Sequence, residues 1–186
     1  MHVIFFHGRG SHPNAQKNVA LGKVAKEAPY NNCTVWNTAF PDHSSTDKPN
    51  ERVEMALQAH RDILTSKTEY NDVVLVGSSM GGYVATVLAN RFPVRGLFLM
   101  APALYMKDFS VQDYKPMTTR CVVVHGTKDE IVPVENSRRF CKSTGATLLE
   151  VEDDHRLHAS IPEIEKVFRE FCKNVRQDYS ADMAAL

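Results

Sequence analysis

At 186 residues the chain is sized for one domain around one core, and 43% hydrophobic with 24% charged residues is the balance of an ordinary globular protein, which argues against disorder. Lys and Arg number 22 against 22 Asp and Glu, so no net charge draws the molecule toward nucleic acid, and no run of five basic residues occurs. No apolar stretch reaches 18 residues, so no membrane span is expected.

The opening "MHVIFFHGRGSHP" has neither a basic n-region nor an A-x-A site, so it reads as a first strand, "HVIFF" (2–6), and not as a secretory signal. "NAQKNVALGKVAKEA" (14–28) follows as a helix with Leu21, Val24 and Ala25 on one side. "CTVWNTAF" (33–40) is a second strand, and "NERVEMALQAHRDILTS" (50–66), opened by Pro49, spaces Val53, Met55, Ala56, Leu57, Ile63 and Leu64 as a helix does. "DVVLVG" (72–77) reads as a buried strand and "YVATVLANRF" (83–92) as a central, largely apolar helix. Next come strands "GLFLMA" (96–101) and "CVVVHG" (121–126), a short helix "VENSRRFCKS" (134–143) and a last strand "TLLEV" (147–151). "SIPEIEKVFREFCKNV" (160–175) opens with Ser160 and Glu163 as a capping box and buries Ile164, Val167, Phe168 and Phe171. From Arg176 the stripe breaks, which sets the single domain at 1–176 and a loosely ordered tail at 177–186. Cys33, Cys121, Cys141 and Cys172 lie far apart, as reduced core thiols of a cytoplasmic protein would.

Strands alternating with helices, several of them continuously apolar, predict an α/β fold: a three-layer, doubly wound sheet of about six mostly parallel strands. Such sheets bind ligands beyond the carboxyl ends of their strands, and "GSSMGG" (77–82) falls there. It is a G-x-S-x-G turn that would lift Ser79 out of the sheet at a helix N-terminus, the plain alternative being a glycine-softened junction with a serine N-cap. A serine hydroxyl needs a base within reach and a third group to orient that base. "HGTKDEIVP" presents Asp129 at one strand end, and "EDDHRLHAS" presents His155 and His158 at another. His155, at the apex of its loop, is favoured over His158, and Asp129 over Glu130, Asp153 and Asp154; the order Ser79, Asp129, His155 is that of an α/β-hydrolase triad. In "HGRGS", the backbone N–H of Arg9 joins that of Met80 as a candidate pair of oxyanion donors. His7 is expected to brace this loop, and His12 stands at the pocket mouth.

Four pieces in this order, "HGRGS", "GSSMGG", "HGTKDEIVP" and "DDHRL", resemble the α/β-hydrolase superfamily, in particular its small, lid-poor bacterial serine esterases. The resemblance implies a minimal α/β-hydrolase fold without a lid domain, working through an acyl-enzyme with Ser79 as nucleophile, His155 as base and Asp129 as acid. No antiparallel strand pair precedes "HVIFF", and "PALYMKDFSVQDYKPMTT" (102–119) is too short for a helical cap. An open site for small or short-chain acyl groups is therefore expected, with Leu104, Tyr105, Met106, Phe109 and Tyr114 either walling the pocket or covering the sheet edge. The reading is a carboxylic ester hydrolase with no cofactor and no metal, acting on a small-molecule ester or thioester. Thioesterase or amidase action by the same triad is an alternative, as is a non-catalytic binding module. A metal-dependent hydrolase on Asp153, Asp154, His155 and His158 is weaker, because a third ligand at a familiar spacing is missing.

Overall fold

The computed structural model describes residues 1–27, 33–40, 48–65 and 72–184. In chain order the elements are β1 (His2–Phe6), α1 (Gln16–Lys26), β2 (Thr34–Thr38), α2 (Pro49–Leu64), β3 (Val73–Ser78), α3 (Met80–Arg91), β4 (Val94–Met100), β5 (Thr118–Gly126), α4 (Val134–Thr144), β6 (Thr147–Val151) and α5 (Ile161–Ala184). The six strands form one sheet in the order β2-β1-β3-β4-β5-β6, and every neighbouring pair is parallel. The chain steps outward from β1 to β2, returns past β1 to β3 and then winds the other way. The reversal opens a crevice at the carboxyl ends of β1 and β3, where α/β sheets place their ligands.

The continuous apolar runs are the central strands: every residue of β3 and β4 is buried, because helices cover both faces. Side chains alternate between two cores. Val3, Phe5, Val74, Val76, Phe98 and Met100 pack with Leu21 and Val24 of α1 and with Ile164, Phe168 and Phe171 of α5. Ile4, Phe6, Leu75, Leu97, Leu99 and Val123 pack with Val53 and Leu64 of α2, with α3, and with Phe140 of α4. Phe168 meets Phe5 and Phe98 edge-on at 6.3 and 5.0 Å between centroids; truncating so buried an aromatic costs about 3–5 kcal/mol.

Three local features depart from expectation. α3 begins at Met80, so that Gly81 and Gly82 fall in its first turn, and is buried from Met80 to Ala89; packing overrides the poor helix propensity of glycine. The Ser160 N–H donates to Asp153 Oδ2 at 2.9 Å, so Asp153 takes the reciprocal place assigned to Glu163. The loop before α5 turns back sharply enough to bring its own carboxylate there. Finally, α5 stays helical to Ala184, across the boundary set at 176. All four cysteines are free thiols, and no described helix is long and apolar enough to cross a membrane.

Candidate active site

Ser79 stands between β3 and α3 with φ 55° and ψ −120°, a left-handed backbone that a serine adopts only when its surroundings impose it. Those surroundings are visible. Its N–H donates to the Met100 carbonyl at 3.0 Å, and its own carbonyl accepts from Gly82, Tyr83 and Ala103 at 2.9, 3.3 and 2.9 Å. A Cβ on Gly77 would fall on the backbone of Gly81 and Gly82, and one on Gly81 on the carbonyls of Phe6 and His7. The turn is thus pressed against β1 as well as folded on itself, and the serine side chain is left facing a cavity.

His155 Nε2 lies 2.9 Å from Ser79 Oγ, and His155 Nδ1 lies 2.7 Å from Asp129 Oδ2. A carboxylate can only accept, so Nδ1 carries the proton and Nε2 accepts from the serine hydroxyl. A hydroxyl, an imidazole and a carboxylate in this relay let the imidazole take a proton from oxygen while its far nitrogen is steadied. The Asp129 side chain has no exposed surface and His155 is 14% exposed. Burial pushes the Asp129 carboxyl upward, but the Val132 N–H, the His155 ring and the Ile131 N–H outweigh it and hold the group below its usual value. Both of those amides reach Oδ1 at 2.9 Å. Glu130 and His158, the alternatives, are exposed.

β6 is the sheet edge, three strand spacings or about 14 Å from β3, so its loop must travel back to reach Ser79. It crosses the end of β5: Thr127 N–H donates to Val151 O at 2.8 Å and Lys128 N–H to Asp153 O at 3.0 Å. A Cβ on Gly126 would strike the Asp153 carbonyl. Asp153 also accepts from Asp154 N–H at 2.8 Å, and Asp154 from Arg156 N–H at 2.7 Å. Both carboxylates build the loop, and among the described residues no group of three or more His, Cys, Asp or Glu is arranged to hold a metal ion.

Two supporting groups escaped the sequence reading. His125, fully buried, sets Nε2 3.1 Å from Asp129 Oδ2 and 3.0 Å from Val132 O, with Nδ1 2.7 Å from Ser137 Oγ. Its Nε2–H therefore faces two acceptors, and Nδ1 accepts from Ser137. Burial lowers its pKa, against the opposing pull of the Val132 carbonyl and Asp129. The available signal was a histidine ending the apolar run "CVVVH" at a carboxyl edge. Arg52 of α2, also buried, donates through Nη1 to His7 O at 2.9 Å and to Gly8 O at 3.3 Å. His7 Nδ1–H donates to the same Gly8 carbonyl at 2.9 Å, while its Nε2 accepts from Phe40 N–H at 3.3 Å. In a planar trans peptide the carbonyl and N–H point in opposite directions. Holding Gly8 O toward Arg52 therefore turns the Arg9 N–H away from it. Met80, first in α3, has no intrahelical acceptor for its N–H.

The cavity in front of Ser79 has a volume of about 540 Å³. Gly8, Arg9, His12, Lys17, Ser79, Ile131, His155, Arg156 and His158 are among its lining. Leu104, Tyr105 and Met106 are not. Leu104 is completely buried in the core, and its carbonyl accepts from Asn136 at 2.7 Å. Tyr105 packs edge-on to Tyr114 at 5.0 Å with the Arg139 guanidinium 3.9 Å over its ring, and the Met106 carbonyl accepts from Gln112 at 2.8 Å. This segment covers α3 and α4.

Comparison with known proteins bears on this geometry. A family model described as an alpha/beta hydrolase domain matches residues 1–178. A Xanthomonas campestris pv. campestris protein described as belonging to the alpha/beta hydrolase superfamily is 30% identical in its solved structure, with 93% of this chain and 98% of that chain covered and a TM-score of 0.75. Est1E from Butyrivibrio proteoclasticus, solved with ferulic acid bound, is 17% identical over 95% of this chain and 89% of its own, with a TM-score of 0.74. An alpha/beta serine hydrolase without a lid from Xanthomonas campestris is 19% identical over 93% and 81%, with a TM-score of 0.73. Among curated proteins none matches the chain by sequence.

Proposed function

Because the chain belongs to the alpha/beta hydrolase family, we propose that it is a serine hydrolase cleaving carboxylic esters of small or short-chain acyl groups through an acyl-enzyme. The observation that carries this reading is the unbroken relay from Ser79 Oγ through His155 to Asp129, at 2.9 and 2.7 Å. His155 Nε2 takes the hydroxyl proton as Ser79 Oγ bonds to the ester carbon. The tetrahedral oxyanion is held by the N–H groups of Met80 and Arg9, and collapse breaks the C–O bond as His155 passes its proton to the leaving alcohol. Water then repeats the sequence on the acyl-enzyme, releasing the acid and restoring the serine.

A cavity of about 540 Å³ suits a small substrate. The segment from Ala101 to Met117 lies against the body, with Asn90 bonded to the Asp113 carbonyl and the Lys115 N–H, which favours an open site. The test is labelling with a fluorophosphonate probe beside a 4-nitrophenyl ester assay. Wild type should label and turn over; Ser79→Ala should do neither, with a loss of at least about 1,000-fold. A wild-type protein that neither labels nor cleaves would make this a binding module on a hydrolase fold.

A further inference from the structure

The cavity beside Ser79 is lined by cationic and imidazole groups and by no carboxylate: Arg9, Lys17 and Arg156 face it with His12 and His158. Among the described residues, neither Lys17 nor Arg156 has a side-chain hydrogen bond or an ion pair. The nearest acids are occupied elsewhere. Asp129 is taken by two imidazoles and two amides, Asp153 by the N–H groups of Asp154 and Ser160, and Asp154 by that of Arg156.

A second feature of the same wall has the same sign. α1 starts there, with Ala15, Gln16, Lys17 and Asn18 all lining the cavity. Its N-cap is Ala15, which offers no side-chain cap, and its first turn holds no acidic residue. The N–H groups of that turn and the positive end of the helix dipole therefore face the cavity with no acidic side chain in the turn itself. A cleft lined by one sign of charge focuses its field and draws in ligands of the opposite sign.

We propose that the substrate of this site carries its own negative charge, a carboxylate or phosphate seated on Lys17, Arg156 and the first turn of α1 while the ester carbonyl lies against Ser79. This deepens the serine hydrolase reading and rests on it. The desolvation of Lys17 fits: burial lowers its pKa to about 8, in spite of the attraction of Asp153, Asp154 and Asp129, and a bound anion would supply the solvation it lacks.

The experiment compares kcat/KM for matched esters. On the acyl side, 4-nitrophenyl hemisuccinate is set against 4-nitrophenyl pentanoate; on the alcohol side, 4-acetoxybenzoate is set against its methyl ester. At least one pair should favour the anion by about 10- to 100-fold, the scale of a charge-assisted hydrogen bond. The ratio should fall toward one in Lys17→Gln/Arg156→Gln, survive in Lys17→Arg, and shrink in wild type as NaCl is raised, which needs no variant at all. Inorganic phosphate inhibiting the neutral esters competitively would point to a phosphate-bearing substrate, and succinate doing so to a carboxylate. Wild-type ratios at or below one, with Ser79 still labelled by fluorophosphonate, overturn the anion subsite and leave the hydrolase standing. If Ser79 does not label and no ester is cleaved, the hydrolase reading falls and calorimetry of the uncleaved esters decides the subsite. Tighter binding of the hemisuccinate, lost in the double variant, then upholds it; equal binding or none overturns it.

Discussion

Asp129 receives two imidazoles on one oxygen: Oδ2 lies 2.7 Å from His155 Nδ1 and 3.1 Å from His125 Nε2. The first imidazole faces the cavity and the second is sealed in the protein, where burial lowers its pKa. An unfolded His125 takes a proton near pH 6.5, whereas burial keeps the native ring neutral to lower pH. The unfolded state then binds more protons in that window, and stability falls as pH drops below about 6.5. Urea melts at about pH 7.5 and about pH 5.5 should show this loss in wild type and a smaller one in His125→Gln. His60, whose pKa burial also lowers, contributes a parallel slope to both proteins, so the difference between them is the readout. Identical slopes would mean that native His125 titrates normally.

The choice between the two histidines of one loop is read directly. His155→Ala should lower kcat by about 100- to 10,000-fold, the range for losing a positioned acid-base group. His158→Ala, which removes only an exposed side chain at the cavity rim, should stay within about 10-fold of wild type. The reverse ranking in steady-state assays would reassign the base.

Arg52 donates to the carbonyls behind the Gly8–Arg9 peptide and lies over the face of Phe40, with its guanidinium 4.6 Å from that ring. Its removal in Arg52→Met should let the peptide rotate and lower kcat with KM little changed, by up to about 100-fold, bounded by the loss of a whole oxyanion donor. A rise in KM alone would show that Arg52 holds the cavity wall and not the donor. Thermal melts of the variant separate either effect from unfolding.

Gly81→Ala brings a methyl group onto the Phe6 and His7 carbonyls. Backbone there cannot yield as a side chain end would, so a destabilisation of about 1–3 kcal/mol is expected, with weakened fluorophosphonate labelling because the turn carries Ser79. Chemical denaturation at fixed pH measures the first and gel fluorescence the second.

Lys17 gives the anionic esters a pH signature. With burial holding its pKa at about 8, it loses its charge as pH rises from about 7 to about 9, and KM for an anionic ester should climb while KM for its neutral twin does not. The other titratable groups lining the cavity are His7, Arg9, His12, His155, Arg156 and His158, and Asp129, Asp153 and Asp154 act on it through space. Parallel KM profiles for the two esters would remove Lys17 from substrate binding.

Much of the architecture was legible because hydrophobic pattern is a local property. The run "TLLEV" is β6 to the residue, and "GSSMGG" announced its own turn through glycines whose missing side chains leave room for β1. What escaped is non-local. Arg52 looks like one more polar residue of an amphipathic helix, and only the packing of α2 against the β1–α1 loop shows it reaching two carbonyls. Leu104 looked as suited to a pocket wall as to a core, since an apolar side chain says that it will be covered and not by what. Asp153 shows the same limit in a short loop: which carboxylate caps α5 depended on a chain reversal that residue types alone do not encode.

That reversal leaves the imidazole hanging from a crossing. Residues 152–160 are suspended where two main chains stack at Gly126, with Asp153 O bonded to Lys128 N–H and no room for a methyl between them. The aim of His155 is accordingly set by the thickness of a bare backbone as much as by any polar partner. A saturation map of activity would therefore carry an isolated hot spot at Gly126, a chemically mute position, and directed evolution seeking to shift the reach of the base would find its finest adjustment there.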